Sequence, residues 1–177
     1  GNSTYSPALS GGSVRLVRND TSNTPENYQA GACALDSIAS TPSTNFVLNA
    51  NGTVKDLTTG LVWDRCAYGQ TWNAGNQSCD GTAQSFDWAS AISMADGLSG
   101  YKGASDWRVP NIKEMGSIVE TCRFNPSFNL AVFPNTPVAN WQTSTIAYQS
   151  GSPWYVAGDN GNSTYSPALS GGSVRLV

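Results

Sequence analysis

Apolar residues recur with a helical period in two stretches of the chain. Trp88, Ala91, Ile92, Ala95 and Leu98 fall at i, i+3, i+4, i+7 and i+10, which gathers them on one face of a helix. This spacing predicts a helix over residues 85–99, capped by Ser85, with Asp87 in its first turn and Gly97 and Gly100 as its stop. Ile112, Met115, Ile118, Val119 and Cys122 form a second stripe, and Asn111 with Glu114 has the spacing of a capping box. A helix over residues 111–121 follows. Elsewhere the apolar runs are short. Residues 45–48, 53–56 and 61–63 read as strands, separated by turns at Asn51-Gly52 and Thr59-Gly60. Residues 140–145, 154–157 and 173–177 read as later strands, after a loop region marked by Asn125-Pro126, Pro134-Asn135 and Thr136-Pro137. The expected class is α+β, with both helix stripes sharing one core with the 61–63 strand.

One polar stretch with an apolar end occurs twice. Residues 1–17, GNSTYSPALSGGSVRLV, return letter for letter as residues 161–177. A fold with one place for that apolar end cannot seat both copies. The expected organisation is a repeated terminal strand at 1–17 belonging to a preceding or neighbouring unit, a connector at 18–44 and a domain at 45–177. Tyr5, Leu9, Val14, Leu16 and Val17 are then the assembly residues. They would take, in a neighbour, the place that residues 161–177 take in their own domain, beside the 45–48 strand. The partners are copies of the chain itself, joined head-to-tail, and such a contact makes an open fibre when it does not close into a ring.

Composition narrows the chemistry. Charged residues are 12% of the chain, net charge is −3, and Lys plus Arg total nine without a basic run. Binding to a phosphate backbone therefore has no electrostatic support. No apolar run has the length of a membrane span. The four cysteines, Cys33, Cys66, Cys79 and Cys122, come with no histidine and no Cys-x-x-Cys pair, which argues against zinc. They suit two disulfides in an oxidising compartment such as the extracellular space. Three pairings are open; Cys66–Cys79 would close a polar loop and leave Cys33–Cys122 to tie down the connector. With no histidine and dispersed carboxylates, a non-catalytic protein with no cofactor and no metal is expected. Asp106, next to Trp107-Arg108, is expected in an ion pair or a backbone cap. Trp63, Trp88 and Trp107 read as core. Trp141, Trp154 and Tyr155, rimmed by Thr143, Asp159, Asn160, Asn162 and Tyr165, read as a face for a glycan or protein ligand.

Several segments taken together resemble a known family. They are residues 56–66 (DLTTGLVWDRC), 69–72 (GQTW), 105–114 (SDWRVPNIKE), 132–136 (VFPNT) and 174–177 (VRLV). In this order they are similar to the Lcl C-terminal domain family, named for a bacterial collagen-like adhesin, over about residues 45–177. The resemblance implies a C-type-lectin-like fold, with two helices packed on small antiparallel sheets and N- and C-terminal strands adjacent. It also implies a bacterial surface or secreted protein, sometimes in tandem, with adhesins for sulfated glycans among its relatives. The scattered cations here do not support that ligand, and the carboxylate-Pro-Asn calcium motif of sugar-binding C-type lectins is absent from the sequence. Two expectations result: a fibre unit joined through its duplicated strand, or an adhesin module binding through its late loops.

Overall fold

Strands β1 (Phe46–Leu48), β2 (Thr53–Asp56) and β3 (Val62–Asp64) make an antiparallel sheet in chain order. The structure is a computed structural model describing residues 39–148, 150–167 and 171–177. The β1–β2 turn depends on Gly52, whose φ of +79° is left-handed and whose missing Cβ leaves room for the Trp72 ring. Asp56 shapes the next turn by accepting from the Thr58 N–H and the Thr59 hydroxyl at 2.8 and 2.7 Å. A hairpin of β4 (Thr71–Asn73) and β5 (Ser78–Asp80) follows, tied back by the Cys66–Cys79 disulfide. Trp72 docks this hairpin: its Nε1 donates to the Ala50 carbonyl, and the Arg65 guanidinium lies 4.3 Å from its ring centre.

Both helices form where the apolar stripes place them, but shorter. Helix α1 runs Trp88–Asp96, and its N-cap is Asp87, which accepts from the Ser90 N–H, rather than Ser85. Helix α2 runs Ile112–Ser117 with the expected capping box between Asn111 and Glu114. It ends early because Val119 leaves the helix to bridge Phe128, and the Glu120 N–H donates to the Ser127 carbonyl. The third sheet is β6 (Asn140–Ile146), β7 (Pro153–Ala157) and β8 (Ser163–Tyr165), again antiparallel in chain order. Strand β8 lies within the repeated segment.

The single shared core is replaced by two clusters. Met115 of α2 and Ile118 at its C-cap pack with Phe46, Val54, Trp63, Phe128, Phe133, Trp141 and Val156. Ala91 and Ala95 of α1 pack instead with Trp107, Val109, Val174 and Leu176. Val177 belongs to the first cluster, so the end of the repeated segment contributes to both. That segment takes the place where direct helix-to-helix contact was expected. Ile118 is fully buried, and Ile118→Ala is expected to cost about 2–5 kcal/mol; an unmoved thermal midpoint would contradict its place in the core. Cys122 is disulfide-bonded, while its expected partner Cys33 lies outside the described residues, as do the assembly residues Tyr5, Leu9, Val14, Leu16 and Val17.

Candidate functional site

The repeated segment ends in a slot built from four parts of the domain. The Gly172 N–H and carbonyl pair with Phe86, just before α1, at 2.9 Å each way. The Ser173 N–H donates to the Asn140 carbonyl, and the Gln142 N–H donates to the Ser173 carbonyl, so this residue lies beside β6. The Val174 and Leu176 carbonyls accept from the Tyr68 and Asp64 N–H groups, and Val177 exchanges two bonds with Arg108. The expected neighbour, the 45–48 strand, is corrected: the segment lies next to the end of β3, where Leu176 bonds Asp64, at the edge of that sheet opposite β1. The Gly-Gly pair has a steric reason. A Cβ on Gly172 would sit 2.6 Å from the Asn140 carbonyl oxygen, and one on Gly171 would sit 2.5 Å from the Ser85 hydroxyl.

Side chains of the segment alternate between the two clusters. Val174 and Leu176 enter the α1 cluster; Arg175 and Val177 face the other way. Arg175 is fully buried. Its guanidinium donates to the Asp64 and Arg65 carbonyls and, at 2.9 Å, to the Thr136 hydroxyl. Aromatic faces enclose it, with Phe133 and Trp141 centred 4.6 and 5.0 Å away. Burial pushes this group down to about 9, with Asp64 opposing and Arg65 adding to the shift, so it stays charged at neutral pH. Asp64 below it is fixed by Lys102 at 2.6 Å and by the Tyr101 hydroxyl at 2.8 Å. Burial and the Asp64 charge together hold the Tyr101 phenol above its usual range.

The described end of the connector is clamped by a second buried group. Glu120 is fully buried and accepts from the Ser40 and Thr41 backbone N–H groups and from both hydroxyls. Burial alone would raise its carboxyl, but the bonds from Ser40, Thr41 and Cys122 outweigh that and lower it. Its contribution is therefore complete above the ordinary glutamate range and is lost as pH falls below that range through the folded value. Glu120→Gln is expected to cost about 1–3 kcal/mol at neutral pH, with the gap to wild type closing in melts below about pH 4. A gap that does not change with pH would contradict this.

The expected ligand face does not form as one surface. Trp141 and Thr143 are fully buried, which corrects both. Strand β6 is covered on its two edges, by β7 and by Ser173; Trp141 turns inward onto Phe128, and the Thr143 carbonyl accepts from Trp88 of α1. Trp154 and Tyr155 are half-buried, while Asp159, Asn160, Asn162 and Tyr165 are exposed. Trp154 and Tyr165 stack edge-to-face with centroids 5.0 Å apart. They pair at the open end of the β7–β8 hairpin, about 10 Å along the strand from the Asp159 turn. In that turn Asp159 and Asn160 side chains accept backbone N–H groups. Among the described residues no cluster of metal-ligating side chains occurs.

What sequence reasoning missed was Arg175, to which it assigned no role. Asp106 is also corrected: Arg108 pairs instead with Glu114, through two bonds of 2.7 Å. A cavity of about 340 Å³ opens where these elements meet, bordered by Gly60, Leu61, Val62, Ala104, Asp106, Trp107, Arg108 and Val177. No helix among the described residues is long and apolar enough to cross a membrane. No curated protein and no solved structure matches the chain. The family model for the Lcl C-terminal domain matches residues 52–177, from the Gly52 turn to the last residue of the slot. By that match, the chain belongs to the Lcl C-terminal domain family.

Proposed function

We propose that this chain is a non-catalytic, extracellular repeat unit with a C-type-lectin-like domain, joined head-to-tail into a fibre through its duplicated segment. The observation that supports this is the slot: residues 172–177 are all buried, and residues 12–17 have the identical sequence. Val14, Arg15, Leu16 and Val17 would make the same contacts in another domain that Val174, Arg175, Leu176 and Val177 make in this one. Because the contacts are the same, a domain's own copy competes with a neighbour's on tethering alone. Tethering favours the own copy up to about millimolar protein. A continuous array, in which each copy closes one domain and leads into the next, meets no such competition, and we favour it over exchange between separate chains. Family membership supports a surface-related, adhesin-like setting.

The test is a chain of residues 18–177. It should fold as a monomer with the thermal midpoint of the full chain, since residues 1–17 then belong to a neighbour. A large loss of stability would place residues 1–17 on their own domain and refute the reading. The second reading is an adhesin module, and the Trp154–Tyr165 pair favours it, as an aromatic surface suited to stacking on a sugar. Glycan-array binding lost in Trp154→Ala would support it; equal signals from both proteins would leave it without a basis.

A further inference from the structure

We propose that the cavity beside Val177 receives the residue that follows a seated copy, Arg18, and so sets the angle between successive units. This rests on the head-to-tail reading above. In the sequence, the residue after the VRLV of the first copy is Arg18. With that copy in a slot, Val17 stands where Val177 does, and both its backbone groups are bonded to Arg108. The next residue is thereby delivered at the cavity mouth. Leu61 and Val62 supply an apolar wall, with Val62 40% exposed, suited to the aliphatic stem of an arginine.

Charge selects the same occupant. Asp106 is the one carboxylate on the cavity wall. It is exposed, and among the described residues it makes no ion pair. Arg108, the one cation there, is held by Glu114 on α2, so it does not repel an incoming guanidinium. Arg18 is the first charge after the segment, and Asp106 is its counterpart.

The experiment uses a two-unit chain, the full sequence continued as a second run of residues 18–177. Cysteine replaces Asp106 in the first unit and the junction arginine that repeats Arg18. Mild oxidation should join the two on the order of ten-fold faster than a control pair with Lys113→Cys, on the exposed side of α2, as a matched effective concentration predicts. Two folded domains with equal rates for both pairs would overturn the cavity proposal and leave the array standing. A chain with only one folded domain would overturn both.

Discussion

A chain of residues 18–177 carrying Arg175→Ala is expected to lose about 3–5 kcal/mol of stability, a large part of what a domain of this size possesses. The substitution removes a charged donor from three acceptors, the Asp64 and Arg65 carbonyls and the Thr136 hydroxyl. None of these can turn to water, since Asp64, Arg65 and Thr136 are themselves buried. It also empties the space between the Phe133 and Trp141 rings. Arg175→Lys should recover only part of the loss, because an ammonium cannot reach separated acceptors with a planar fork. Thermal and denaturant unfolding of the three proteins is the check. Equal midpoints for Arg175→Ala and wild type would show that the guanidinium does not hold the slot together.

The same substitution has a different consequence in the full chain. There Arg15 remains in an intact copy, and a domain whose own segment no longer fits has an unfilled slot. The tethering advantage of the own copy, of millimolar order, is then outweighed by the several kcal/mol lost on seating the damaged segment. On the head-to-tail reading residues 1–17 do not close their own domain, so each chain should seat its neighbour's copy, and stability should return as protein concentration rises. Arg175→Asp makes the contrast larger, since a buried carboxylate would face two backbone carbonyls.

How much of this was legible in the sequence follows from which residues act locally. The α2 capping box and the Cys66–Cys79 loop depend on partners no more than 13 residues apart, and both formed as read. The helix ends moved inward because Val119 and Phe86 were drawn into tertiary bridges that spacing does not report. Trp141 looked like a surface aromatic because it sits among polar residues in a loop-rich region. Its burial comes from Phe128 and Arg175, both distant in sequence, packing onto its ring. Arg175 was hidden for a related reason. A Val-Arg-Leu-Val alternation reads as one apolar face and one wet face, and only a segment with core on both sides makes the charge internal. The importance of the segment was legible all the same, from its exact recurrence.

The central claim is that residues 1–17 fill another unit's slot, and one comparison tests it most directly. Full-length Arg175→Asp and full-length Arg15→Asp/Arg175→Asp are examined by light scattering and negative-stain electron microscopy across a concentration series. The account predicts folded, head-to-tail polymers of Arg175→Asp and an unfolded, unassembled double variant. A folded monomer of Arg175→Asp would show the first copy closing its own domain, and an unfolded one at every concentration would show that it does not fit the slot. Either result would contradict the account.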